Sequence, residues 1–210
     1  MHGQTPSEFA ALRFAEFWFC KERQYHNALW SDDDQVILPA LNKAVAYFRV
    51  QRNLPKSQDE GMGIPRLKPL LPIIEHAKTL AVADAEMIDA VTSTMIKIDA
   101  IYRKKALSFA SKLLWLLHQD PFIIYDNQAR IALRTPEADY ASFVQRWRQG
   151  FEESRPQIQK ACFTLADHRL YLRCGLEVSE SEVKEAAEQE WFLKRVYDIW
   201  LWAEGARDNS

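Results

Sequence analysis

Glycine and cysteine are scarce in this chain, and their scarcity excludes several function classes. The six glycines form no phosphate-cradling motif, since "GMG" at 61–63 is too short for a Rossmann or P-loop turn. Cys20, Cys162 and Cys174 have no C-x-x-C spacing and suggest no zinc site. Cys20 and Cys162 lie in aromatic-rich stretches that suit buried free thiols, the pattern of a reducing compartment. His2, His26, His76, His118 and His168 are dispersed without an H-x-x-x-H pair, so neither metal nor cofactor is expected. Ser108 and Ser111 lack a nucleophile-elbow context. No apolar run approaches the roughly 20 residues of a membrane span. The start "MHGQTPSEFAALRFAEFWF" has neither the basic region nor the cleavage site of a signal peptide. The expectation is a cytoplasmic protein with no membrane partner.

Strand patterning is missing as well. Nearly every segment shows helical spacing of apolar residues, which predicts an all-α fold: a single compact multi-helix domain over 1–210. The spacing predicts a first helix through "SEFAALRFAEFWFCKERQY" capped by Ser7, and a second after "SDDD" with Pro39 near its start. Leu54–Pro69 holds three of the nine prolines and two of the glycines, and reads as a loop before the later helices. Helices follow in "LLPIIEHAKTLAV", "DAEMIDAVTSTMIKIDA" and "RKKALSFASKLLWLLH", the last stopped ahead of Asp120-Pro121. Asp126 or Asn127 caps the next one. "PEADYASFVQRWRQGFEES", a separate helix in "RPQIQKACFTLADHRLYLRCG" ended by Gly175, and "SESEVKEAAEQEWFLKRVYDIWLWAEGA" complete the chain. Ser179 with Glu182 fits a capping box at the start of the last.

A net charge of -2 conceals a polarised chain. Lys97–Arg134 carries seven basic and three acidic residues, whereas Glu177–Glu190 carries six glutamates and one lysine. The basic stretch suits an anionic surface; the acidic one suits a basic partner. Seven tryptophans, eleven phenylalanines and seven tyrosines supply large rings, most of them destined for a core.

Two charges in "SFASKLLWLLHQDPFIIYDNQAR" stand in apolar surroundings and need a reason. Lys112 lies on a narrow strip with Lys104, Ser108, Ser111 and Trp115 at helical spacing. It is either a lysine whose stem covers apolar surface or a desolvated amine available as a nucleophile. Asp126 follows the uncharged "PFIIY" where a helix begins, which fits a helix cap, a catalytic carboxylate, or both.

"ASKLLWLLHQDPFIIYDNQARIAL" resembles the active-site segment of helical DNA glycosylases of the helix-hairpin-helix superfamily, especially the 8-oxoguanine glycosylase-like branch and its bacterial relatives associated with phage defence. The resemblance implies an enzyme that flips out and excises a damaged or modified base, including one of phage DNA in antiviral defence, acting as a monomer on DNA. Lys112 would then be the nucleophile and Asp126 the catalytic carboxylate. The superfamily's hairpin has a glycine-rich turn. Here "DAIYRKKALSFASK" has none, and Arg103, Lys104 and Lys105 would hold phosphate by side-chain charge. Asn127 and Arg130 are further candidates for DNA contact. Candidates to stack on or read the flipped base are Trp18, Phe19, Tyr25, His26, Trp30, His118, Gln119 and Tyr125, each of which also suits plain core packing. Two other readings use the same residues differently: a non-catalytic helical nucleic-acid-binding or defence adaptor protein, and an interaction protein that presents its acidic stretch.

Overall fold

A computed structural model of the chain describes residues 5–55 and 64–207. Among the described residues, ten α-helices and several short 3-10 or π turns make up the regular structure, and no strand occurs. The fold is all-α, and it gathers into two compact units. One comprises residues up to Lys21 together with Tyr125 onward; the other is the continuous stretch Glu22–Ile124.

The first unit is assembled around α10 (Glu190–Arg207), which packs on α1 (Pro6–Phe17), α7 (Asn127–Ala132) and α8 (Tyr140–Phe163). Rings do most of the filling: Phe14 meets Phe192 at 4.6 Å, Trp18 meets Trp191 at 4.7 Å and Trp147 meets Tyr197 at 5.2 Å. Trp147 Nε1 donates to the buried Asp198 at 2.6 Å, so the indole N–H is satisfied inside the core. Gly205 permits the close approach of α10 to α7, because a Cβ there would lie 1.9 Å from the Gln128 carbonyl oxygen. α9 (Glu180–Ala187) and a 3-10 turn at Ala166–Tyr171 pack together at one end.

The second unit is built the same way around α6 (Leu107–His118), of which ten of twelve residues are buried. Against it pack α2 (Arg23–Leu29), α4 (Leu71–Lys78) and α5 (Met87–Tyr102), with α3 (Asp34–Tyr47) beside α2.

Several boundaries differ from the sequence expectation. Thr5, not Ser7, caps α1: it forms a capping box with Glu8, Pro6 opens the first turn, and Ser7 is buried. A π-helical stretch at Trp18–Glu22 interrupts what the pattern reads as one helix. Pro39 lies well inside α3, and Pro156 inside α8, which runs through the expected break. Gly175 ends no helix, since Ala166–Tyr171 is a 3-10 turn. The closing helix divides into α9 and α10. Within the expected loop, Pro65–Leu70 is a 3-10 helix, and 56–63 lie outside the described residues. Cys20 is not a free thiol: it is bonded to Cys174 at a sequence separation of 154. Of the two cysteines expected as buried free thiols, one is therefore in a disulfide. Cys162 is free and buried, and burial pushes its thiol up to about 12, which leaves it unreactive at neutral pH. No described helix is long and apolar enough to cross a membrane.

Candidate nucleic-acid interface

The basic segment found in the sequence is a helical hairpin. α5 stops because Arg103 turns left-handed, at φ 54° and ψ 41°, while its N–H donates to the Asp99 carbonyl at 2.6 Å. Lys104 and Lys105 complete the turn. α6 then starts at Leu107, four residues later than its helix-forming residues suggest, with Ala106 in the cap position. An alanine side chain cannot cap, so the positive end of the α6 dipole has no capping acceptor from Ala106 and three cations before it.

Lys104 Nζ donates to the carbonyls of Arg52 at 3.0 Å and Leu54 at 3.2 Å. This ties the hairpin to the segment after α3 and sets Arg52 beside it, with Arg49 three residues earlier. A second tie runs from the Tyr102 hydroxyl to the Arg66 carbonyl, while Arg66 Nη1 donates to the Pro55 carbonyl at 3.0 Å. Burial raises the Tyr102 phenol to about 12, so it stays a donor throughout the neutral range. Arg49, Arg52, Arg103, Lys104 and Lys105 are all exposed. Arg49 and Arg52 are absent from the sequence reading, since they lie about fifty residues upstream of the hairpin. The one available signal was a pair of arginines flanking a helix end in "FRVQRN".

Lys112 is buried. Its Nζ donates to Ser108 Oγ at 3.1 Å and the Phe48 carbonyl at 3.4 Å, and lies 6.0 Å from the Phe48 ring. The cavity beside it, lined by Leu41, Val45, Phe48, Phe109 and Leu113 among others, holds about 10 Å³. That is scarcely the space of one water.

Asp126 caps α7, its Oδ1 accepting from the Gln128 N–H at 3.0 Å, and it is half-buried. Asn127 and Arg130 bond each other: Arg130 Nε and Nη2 donate to Asn127 Oδ1 at 3.2 and 3.1 Å, and Nη1 donates to the Thr135 carbonyl.

The eight base-reading candidates divide between the two units. Trp18 packs on Trp191, Phe19 is buried, and the Tyr125 hydroxyl accepts from the Ala138 N–H at 2.9 Å. In the other unit Tyr25 packs on Tyr47. His26 Nδ1 donates to the Leu116 carbonyl and Trp30 Nε1 to the Leu117 carbonyl, both at 2.7 Å. These two side chains satisfy the last carbonyls of α6, which helix geometry leaves open. His118 Nε2 donates to the Ala77 carbonyl at 2.7 Å, and its ring lies 5.7 Å from Trp30. Gln119, at φ 61° and ψ -72°, forms a strained γ-turn closed by Asp120 N–H to the His118 carbonyl at 2.8 Å.

Comparison with models of protein families, with curated proteins and with solved structures finds no match.

Proposed function

We propose that this chain binds DNA through its phosphate backbone, with Arg49, Arg52, Arg103, Lys104 and Lys105 as the contact surface. The observation that supports this most is the Lys104 tie, which holds two basic segments distant in sequence beside the N-terminus of one helix. Side-chain cations and a helix dipole favour the same ligand charge.

Base excision, the activity implied by the resemblance, is the finer reading, and it rests on Asp126 rather than Lys112. A nucleophile must come within about 3–3.5 Å of its target, and the enclosed Lys112 amine has no space beside it for a sugar. A carboxylate held at a helix N-terminus suits the other route: it orients a water, stabilises the oxocarbenium-like transition state, and leaves an abasic site without a covalent enzyme adduct.

Two measurements test the two levels. Binding of duplex DNA as a function of salt should show a slope smaller by about two in Arg52→Gln/Lys105→Gln, at roughly 0.9 per lost contact; an unchanged slope places the DNA elsewhere. Incubation with DNAs carrying different modified bases should yield abasic sites with wild type and Lys112→Met, and on the order of 100-fold fewer with Asp126→Asn. Borohydride trapping of wild type would restore the lysine route, and base release by Asp126→Asn at the wild-type rate would end the Asp126 assignment.

A further inference from the structure

The Cys20–Cys174 bond joins the π-helical stretch after α1 to the segment that follows the 3-10 turn. Cys20 is half-buried whereas Cys174 is only 9% exposed, so solvent reaches the pair from the Cys20 side. Glu16, one helical turn before Cys20, sets Oε2 3.7 Å from Cys20 Sγ, within reach of a hydrogen bond from a thiol. The same oxygen accepts the Arg173 backbone N–H at 2.9 Å, and Oε1 pairs with Arg173 Nε at 3.1 Å. Arg173 is the chain neighbour of Cys174, so a non-covalent clamp runs beside the covalent one. A disulfide with a purely static role needs neither an acceptor for a thiol proton nor a second tie that keeps the sulfurs adjacent when the bond is open. Cys162, buried on α8 and protonated at neutral pH, offers no competing partner.

We propose that Cys20 and Cys174 form a reversible redox site, opened by a low-molecular-weight thiol and closed by the corresponding small disulfide. Only the Cys20 side is open, which suits a small reactant. Its thiolate attacks Cys20 Sγ to form a mixed disulfide; the bond to Cys174 breaks, and the electron pair leaves on Cys174, which takes a proton from water. The opposite polarity would leave a thiolate on Cys20 against the Glu16 carboxylate, and like charges disfavour it. A second thiol then attacks the small thiol's sulfur in the mixed disulfide. Cys20 is released, takes up the proton that this thiol loses, and donates it to Glu16 as an S–H hydrogen bond. Two small thiols become one disulfide, and the chain gains two electrons and two protons. In the open form the Glu16–Arg173 clamp holds Cys174 near Cys20, and this high effective concentration makes reclosure fast. What the site controls is the hold of the segment around Cys174 on α1.

Glutathione, applied to the full chain at neutral pH without denaturant, tests the proposal. Brief exposure followed by N-ethylmaleimide should place glutathione on Cys20 and maleimide on Cys174, as mapped by mass spectrometry. The reduction rate should not change with urea below the unfolding transition, whereas a bond opened only by unfolding is reduced faster with each increment of urea. Reduced Arg173→Ala should reclose with glutathione disulfide about tenfold more slowly than wild type, because its clamp loses the ion pair. The Arg173 side chain is 80% exposed, so this variant keeps the fold. Glutathione on Cys174, reduction that tracks unfolding, or reclosure of Arg173→Ala at the wild-type rate overturns the proposal.

Discussion

Arg103 carries two properties that a single substitution separates. An L-residue at φ 54° costs roughly 1 kcal/mol that glycine does not incur. Arg103→Gly should therefore leave the hairpin standing and raise stability by up to about 1 kcal/mol in urea unfolding, while DNA affinity falls and the salt slope drops by about one. A purely structural arginine would give the first effect without the second. Arg49 and Arg134 occupy the same left-handed region. The chain thus ends helices with arginine where glycine is usual, and the turn between α5 and α6 is made without glycine. Lys112 was legible as an unusual position, but its enclosure depends on Phe48, sixty-four residues away, and no local pattern reports that.

At the scale of elements, the helix caps couple the fold to pH. Glu8 lies below its ordinary value because the Thr5 backbone N–H and then the Thr5 hydroxyl bond it; Asp139 lies below its own because the Ser142 hydroxyl and then the Ser142 N–H bond it. A carboxylate depressed in the folded state stabilises above its unfolded value, and that contribution is lost as pH falls through the folded one. The melting temperature should accordingly decline on acidification through and below the usual carboxylate range. Asp139→Asn, which retains a capping oxygen but cannot titrate, should flatten that decline. Most helices were legible because spacing and caps agree, as at Asp126 and Ser179. Pro156 misled, since the rule that proline ends a helix is local. α8 continues because Phe151, Ile158 and Cys162 are buried on both sides of it, and because Arg155 bridges Glu152 at 2.8 Å and Glu190 at 2.6 Å. At the end of α6, Trp30→Phe should cost about 1 kcal/mol by removing the donor to Leu117.

At the scale of the whole molecule, the largest single constraint is the Cys20–Cys174 bond. Closing so long a loop typically contributes about 2–5 kcal/mol, mainly by restricting the unfolded chain. Cys20→Ser should lower unfolding stability by that order, and reductant should lower wild type to the same level while leaving the variant unchanged. Pairing across 154 residues was not legible in three cysteines with no spacing motif.

The interrupted connectivity of the α10 unit also sets an order of events during synthesis. Everything the α6 unit needs has emerged once Ile124 leaves the ribosome, so its central helix can be covered while translation continues. α1 has no such opportunity. Phe14 and Trp18 wait for Trp191 and Phe192, which follow far along the chain. Burial of α1 against α10 therefore follows the synthesis of both units' intervening chain, and until then its rings stay open to a chaperone.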